Sequence, residues 1–292
     1  PMLNTLGGGG NKGNQLIQLG GSLNSLAATI VPVFVGYLMG DVASARISDA
    51  NPALFIAMAI FALAFVIIFF SAIPEPELEA AKAAPAKESE GVVASVKGAL
   101  SHNNLLFGII AIFVYVGVEV GIPNIANLYM TSGAEHGGLG IATGTAGTIV
   151  GLYWLLMLCG RLVGGALGGK ISSKHMMAGV SSVAILLVIL GIFIPESAVI
   201  SLGTLADGAV VPVKILCFVL CGLCTSVMWG SIFNLAVEGL GKYTSIASGV
   251  FMVMVCGGGI LPYFQGLLAD VTSFVSSYWL IVVALGYMLC YT

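Results

Sequence analysis

The sequence predicts an all-α integral membrane protein, and three features of the chain support this fold class. Only 8% of the 292 residues are charged, whereas soluble domains carry roughly 25%. The mean hydropathy is +1.06. Apolar residues gather in runs near the roughly 20 residues that a helix needs to cross about 30 Å of hydrocarbon. Backbone groups in lipid must be satisfied within the segment, so these runs are predicted to be helices.

Eight apolar runs are separated by polar or Gly- and Pro-rich loops. A hydrophilic stretch, Pro74 to Asn104, separates the second run from the third, and its PEPELEAAKAAPAKESEG segment is typical of a linker. Six spans after a central loop indicate half of a twelve-helix transporter with repeated halves. The runs cover residues 16–40, 53–73, 104–130, 143–168, 176–194, 210–237, 244–269 and 273–291.

This pattern predicts three regions in the chain. Residues 1–73 hold the last two helices of an N-terminal six-helix half, 74–103 form a cytoplasmic linker, and 104–292 form the C-terminal half. The eight helices then correspond to helices five to twelve of twelve, so we expect an N-terminally truncated transporter.

The distribution of Lys and Arg predicts the orientation, because cytoplasmic loops carry an excess of these residues. With Pro1 on the cytoplasmic side, eight of the ten fall inside. The inner residues are Lys12, Lys82, Lys87, Lys97, Arg161, Lys170, Lys174 and Lys242, and the outer ones are Arg46 and Lys214.

The third run carries a carboxylate, Glu119, near its middle. An acid at that depth costs about 2.5–3.5 kcal/mol and normally faces a bundle interior or a wet cavity. Asn124 and Asn127 follow on the same broad face, and their amides both donate and accept hydrogen bonds, as sugar hydroxyls require. Tyr115, one turn earlier, offers a ring to a sugar face. The alternatives are a structural or proton-carrying acid, interhelical hydrogen bonds for the two amides and ordinary packing for the tyrosine.

Two further residues are candidates for substrate binding. Trp229 lies near the middle of its run, although membrane tryptophans favour the interfaces. A tryptophan at this depth is either a stacking platform or a core residue. Asn24 falls somewhat inward of the middle of the first run.

Other positions are interpreted as gating or structural. Arg161, within GRLVGGALGGKISSKH, is costly at its depth unless it is paired or reaches the interface, so we interpret it as a gate or packing device between halves. Gly257, Gly258 and Pro262 interrupt the seventh run and indicate a hinge or close packing. Asn234 is interpreted as structural.

Catalytic chemistry is not indicated anywhere in the chain. The sequence has neither a P-loop nor HExxH. Its three histidines fall in different loops, with His102 and His175 predicted inside and His136 outside. The net charge of −3 is too small to indicate a nucleic-acid partner. We therefore expect no enzyme activity, no metal and no cofactor.

Four segments follow one another in a recognisable order: PMLNTLG with LNSLAATIVP, then YVGVEVGIPN, then GRLVGGALGGKIS, then IFNLAVEGLGKYT with ASGVFMVMVCGGGILP. They resemble the fifth, seventh, eighth, and tenth to eleventh helices of the fucose–galactose–glucose:proton symporters, a family of the major facilitator superfamily. The resemblance covers nearly the whole chain. It implies a cavity between two six-helix halves and proton-coupled import of a monosaccharide across a bacterial inner membrane by rocking of the halves.

The chain departs from this family at a position that bears on selectivity. Members typically have Gln three residues before the Asn that matches Asn24, and here Gly21 occupies that position. The residue at Glu119 is Gln in fucose-type members and Glu in hexose-type relatives, which favours glucose or galactose. The family's coupling carboxylates lie in the first and fourth helices, so the resemblance implies that Glu119 is a sugar ligand rather than the proton carrier.

The sequence therefore predicts a sugar:proton symporter in fragment form. Its predicted partners are a monosaccharide, a proton and the lipid bilayer, and we expect a monomer. Two alternatives remain open: a major facilitator transporter of another small solute or drug, and a sugar sensor that does not transport.

Overall fold

The protein is mostly helical in the computed structural model, which describes residues 10–39, 48, 51–71, 92–203 and 208–292. Most of the predicted linker lies outside the described residues, as do Arg46, Lys82 and Lys87. The helices are α1 Gly10–Met39, α2 Asn51–Phe70, α3 Val92–Leu100, α4 Asn103–Thr131, α5 Thr143–Leu167, α6 Ser173–Phe193, α7 Val213–Thr225, α8 Met228–Val237, α9 Thr244–Val253, α10 Gly257–Val271 and α11 Tyr278–Tyr291.

Among the described residues, six helical segments are long and apolar enough to cross a membrane, as judged by length and composition. The segments are Asn51–Phe70, Asn103–Thr131, Thr143–Leu167, Ser173–Phe193, Val213–Val237 and Gly241–Val271. Helix α11 is apolar but shorter, with 14 residues. The predicted total of eight spans stays a prediction.

The chain forms two compact units. One comprises Pro1–Thr29 with Ser95–Thr292, and the other comprises Ile30–Ala94. Helix α2 belongs to the second unit, has no buried residue and is apolar on every side, which is the pattern of a lipid-facing span. The predicted division at residues 73 and 103 stays a prediction.

Helix α4 is the central element of the first unit. More than half of its most apolar stretch is buried, whereas α2 has no buried residue. It packs against α5, α7, α8, α10 and α11. Glycines allow the closest approach: Gly117 of α4 faces Leu261 of α10, and Gly257 of α10 faces the backbone of Phe113. Small residues give membrane helices this kind of packing, because lipid supplies no hydrophobic force between helices.

Two of the predicted runs are broken inside the bundle. The sixth run divides at Ser226 and Val227, between α7 and α8, which the sequence did not predict. The seventh divides at a 3₁₀ turn, Met254–Cys256, just before the interruption predicted at Gly257, Gly258 and Pro262. Pro262 lies inside α10. A proline ring inside a helix crowds the carbonyl four residues earlier, which here belongs to Gly258, and glycine adapts most easily to such a distortion.

A short antiparallel hairpin connects α6 to α7, and the sequence did not predict it. Its strands are β1 Val199–Ser201 and β2 Val210–Pro212, with Val199 opposite Pro212. Beside the hairpin, Glu196 accepts a 2.7 Å hydrogen bond from the Tyr129 hydroxyl and lies 3.6 Å from the Lys214 ammonium. Lys214 is only 4% exposed, so this connection ties the end of α4 to the start of α7.

Candidate functional site

A proline in α4 determines the backbone chemistry at Glu119. Pro123 lacks the N–H group that would donate to the carbonyl of Glu119, four residues earlier. Tyr153 of α5 donates its hydroxyl to that carbonyl instead, at 3.1 Å. The Tyr153 hydroxyl also shares a hydrogen bond of 3.0 Å with Thr225 Oγ1 of α7. The middle of α4 is thus satisfied by a neighbouring helix, as the apolar surroundings require.

The Glu119 side chain forms a buried ion pair with Arg161 of α5. Arg161 Nη2 lies 3.0 Å from Glu119 Oε1, and the two side chains are 7% and 12% exposed. Of the two possibilities for Arg161, pairing or reaching the interface, the structure shows pairing. Side chains in a helix tilt toward its N-terminus. Arg161 therefore extends away from the C-terminal end of α5, the end predicted to be cytoplasmic.

Arg161 has two further acceptors, both backbone carbonyls. Nη1 donates to the carbonyl of Gly21 on α1 at 2.7 Å, and Nε donates to the carbonyl of Ser226 at 3.3 Å. Ser226 lies at the break between α7 and α8. The guanidinium thus joins α1, α4 and the α7–α8 break. The interpretation of Arg161 as a gate or packing device between halves stays a prediction.

Two aromatic residues lie next to the ion pair. Tyr115 is completely buried, and its hydroxyl lies beside Glu119 and Arg161 but forms no hydrogen bond with the described residues. Its ring meets Trp229 edge-on, with centroids 6.2 Å apart. Trp229 is half-buried and also meets Phe251 edge-on, at 6.0 Å. The Tyr115 ring is therefore closed to a solute in this conformation, whereas part of Trp229 remains accessible.

The predicted amide ligands are not gathered around the ion pair by hydrogen bonds. Asn24 and Asn124 are exposed and Asn127 is half-buried. Asn234 donates to Ser173 Oγ at 2.9 Å and joins α8 to α6, and its interpretation as a structural residue stays a prediction.

Three residues at this site were not predicted from the sequence: Tyr153, Ser226 and Gln18. Gln18 of α1 donates to the carbonyl of Val227 at 2.7 Å, so α1 also contacts the α7–α8 break. For Tyr153 the sequence contains a signal: Pro123, four residues after Glu119, leaves the Glu119 carbonyl without its helical donor, so another residue must supply one. No comparable signal in the sequence identifies Gln18 or Ser226.

We call Tyr115, Glu119, Tyr153, Arg161 and Ser226 the central polar cluster. Its carboxylate and guanidinium cancel in charge, and its remaining polar atoms are hydroxyls and carbonyls. Arg161 donates to Glu119 Oε1, and the Tyr115 hydroxyl lies beside the same carboxylate. A carboxylate and a hydroxyl side by side in low dielectric suit a neutral, hydroxyl-bearing solute better than an ion, which would add uncompensated charge.

Comparison with known proteins gives one family. Residues 17–262 match the Major Facilitator Superfamily. The chain is 29% identical over 283 residues to a glucose/galactose transporter of Brucella abortus, and 29% identical over 280 residues to a putative glucose/galactose transporter of Helicobacter pylori. Each alignment covers 92% of this chain, but the chain spans only 60% and 61% of those relatives. These relatives are transporters and not enzymes.

Solved structures show the same fold. The chain superposes on a major facilitator transporter, FucP, in the outward conformation with a TM-score of 0.74 and 18% identity, covering 96% of this chain and 68% of that one. A single-residue variant of the Escherichia coli fucose:proton symporter FucP gives a TM-score of 0.72 at 17% identity.

Proposed function

Because the chain belongs to the major facilitator superfamily, we propose that it is part of a secondary transporter that imports glucose or galactose together with a proton across a bacterial inner membrane. The proposal maps its eight apolar runs onto helices five to twelve of a twelve-helix transporter. It keeps the boundaries 1–73, 74–103 and 104–292 for the end of one half, the linker and the other half. The solute would move by alternating access around a central site.

The observation that carries the proposal is the ion pair between Glu119, near the middle of α4, and Arg161 of α5. An ion pair without net charge leaves the cluster suited to an uncharged solute, and Glu119 Oε2, which Arg161 does not bind, would accept hydrogen bonds from solute hydroxyls. The names of the relatives, glucose/galactose transporters, support a hexose. Coupling to protons is supported by the name of the structural neighbour, a fucose:proton symporter.

The proposal assigns roles to individual residues. Glu119 is the principal hydroxyl acceptor, and Trp229 is a stacking surface for an apolar sugar face. Tyr115 contributes its unpaired hydroxyl rather than its ring. Asn24, Asn124 and Asn127 complete the site from surfaces that are exposed or half-buried.

Replacing the carboxylate tests the proposal. In the intact protein, Glu119→Gln weakens glucose or galactose binding roughly ten- to hundredfold, because hydrogen bonds to a charged group contribute about 1.5–3 kcal/mol. Equilibrium binding and uptake into proteoliposomes measure the effect. Glu135→Gln, which removes an exposed acid between α4 and α5, is the matched control and leaves both unchanged.

The same assays separate the alternatives. Unchanged hexose affinity in Glu119→Gln removes Glu119 from the site. Competition by amphiphilic drugs but not by galactose would indicate another solute. Hexose binding without counterflow would indicate a sensor.

A further inference from the structure

Arg161 connects three separate elements through one planar group. Its acceptors are the Glu119 carboxylate on α4, the Gly21 carbonyl on α1 and the Ser226 carbonyl between α7 and α8. The guanidinium remains charged under all physiological conditions and holds its N–H donors in a rigid fork. Movement of one acceptor therefore turns the whole fork and changes the bonds to the other two.

Helix α1 follows the same part of α5 at close range. A Cβ atom on Gly165 would lie 3.1 Å from Leu19 Cδ2, and one on Gly168 would lie 3.4 Å from the Cα of Gln15. These contacts depend on small residues and carry no charge. The bond from Arg161 to Gly21 is the charged contribution to the contact, and hydrogen bonds from charged donors are roughly twice as strong as neutral ones.

We propose that Arg161 is a positioning residue that couples the solute site to the contact between α1 and α5. The inference rests on the proposed function, because the hydroxyls of a bound hexose would hydrogen-bond to Glu119. Those hydrogen bonds go to Glu119 Oε2 and draw the carboxylate toward the solute, away from Arg161 Nη2, which binds Oε1. The fork then turns, and its bond to the Gly21 carbonyl weakens. Solute binding at α4 is transmitted to α1 although the solute touches neither Arg161 nor Gly21.

A conservative replacement separates this role from solute binding. Arg161→Lys keeps a positive charge beside Glu119 but replaces the fork by a single ammonium. In the intact protein we expect the Kd for glucose to change less than threefold, while counterflow in proteoliposomes falls at least tenfold. Lys170→Gln removes an exposed cation just beyond α5 and is the control, with both quantities unchanged.

Distances between spin labels test the coupling directly. Labels are attached at Leu23→Cys on α1 and Leu167→Cys on α5, both exposed positions, after the exposed Cys159, Cys256 and Cys290 are replaced by serine. In the absence of solute, we expect Glu119→Gln to broaden the α1–α5 distance distribution in a protein that keeps Arg161. In a protein that already carries Arg161→Lys, adding Glu119→Gln should not broaden the distribution further. Added glucose shifts the distribution in the parent protein, and Arg161→Lys abolishes the shift.

Each outcome supports or overturns the coupling. A glucose-induced shift that persists in Arg161→Lys overturns it, as does a parallel loss of binding and counterflow. If the parent protein binds no hexose, the proposed function fails, while the solute-free comparison still decides whether Glu119 acts on α1 through Arg161. If Arg161→Lys does not fold, Glu119→Gln/Arg161→Gln replaces it, because this double variant leaves no unpaired charge. A distribution as narrow as that of the parent then overturns the coupling.

Discussion

At the scale of single residues, the most consequential feature of the site is the pairing of Pro123 with Tyr153. The proline leaves the carbonyl of Glu119 without a helical donor, and the tyrosine hydroxyl supplies one. The Glu119 backbone and side chain are thus both held by residues of α5, Tyr153 and Arg161. This fixes the position of a carboxylate that α4 alone would hold less firmly.

Removing the tyrosine hydroxyl should therefore cost more stability while the proline is present than when it is replaced. We expect Tyr153→Phe to lower the free energy of unfolding by about 1–3 kcal/mol, the cost of an unsatisfied buried group. In the background of Pro123→Ala the cost should be smaller, because alanine restores an N–H donor to Glu119. A double-mutant cycle on stability in detergent measures the coupling.

Tyr278→Phe is the matched control for that cycle. Tyr278 donates to the carbonyl of Ile122 at 2.8 Å, and the residue four positions after Ile122 is Ala126, which keeps its N–H. Pro123→Ala should not change the cost of Tyr278→Phe. Equal costs of Tyr153→Phe in the two backgrounds would contradict the assignment.

The ion pair could be predicted from the sequence only in part. A charged residue at the depth of Arg161 must be paired or reach the interface, and Glu119 must face the interior, so both constraints follow from the cost of charge in lipid. That the two residues pair with each other depends on how α4 and α5 are placed side by side. The burial of the Tyr115 ring likewise depends on the neighbouring Trp229, which is remote in sequence.

At the scale of elements, consecutive glycines at the start of α10 have different roles. A Cβ atom on Gly257 would collide with the carbonyl oxygen of Phe113, which is backbone and cannot rotate away. Gly259, two residues later, has open space around its Cα. Gly257 therefore sets the distance between α4 and α10.

Alanine should therefore destabilise the protein at Gly257 but have little effect at Gly259. We expect Gly257→Ala to lower stability by about 1–3 kcal/mol, as overpacking does. Gly259→Ala should change it by less than about 0.5 kcal/mol, as substitutions in open positions do. Thermal unfolding in detergent compares them, and a similar loss in both variants would contradict the close contact at Gly257.

The sequence did not predict the break between α7 and α8. The segment CGLCTSVMWGS contains no proline, and its apolar character is continuous across Ser226. The carbonyls at the break are taken by Arg161 and Gln18 from other helices. Local pattern predicts a helix here, and tertiary hydrogen bonds determine where it is interrupted.

At the scale of the whole molecule, the orientation in the membrane remains a testable prediction. His136 lies in the exposed turn between α4 and α5, and His175 lies in the exposed first turn of α6. The excess of Lys and Arg on one side predicts His136 outside and His175 inside. An impermeant maleimide should label His136→Cys in intact cells and His175→Cys only after permeabilisation. Labelling of His175→Cys in intact cells would reverse the orientation.

Membership of the major facilitator superfamily was predicted from the order of several weak motifs and is confirmed. The motifs on which that prediction rests are spread along the chain, from the first run to GGGILP in α10. The contact of α1 with the end of α5 could not be predicted in the same way. It depends on which helix faces the glycines of α5, and hydropathy contains no information about partners.

The ion pair also has a consequence for how the chain enters the membrane. Glu119 and Arg161 lie on consecutive helices, α4 and α5, joined by a connection of 11 residues, 132–142. Inserted alone, each helix would bear a charge that costs about 2.5–3.5 kcal/mol. If the two helices are inserted as a hairpin, we expect Arg161 to neutralise Glu119 before the later helices have been synthesised. The residue that binds Glu119 in the finished protein would then also be its counter-ion during biogenesis, whereas α2 has no charged residue to pair.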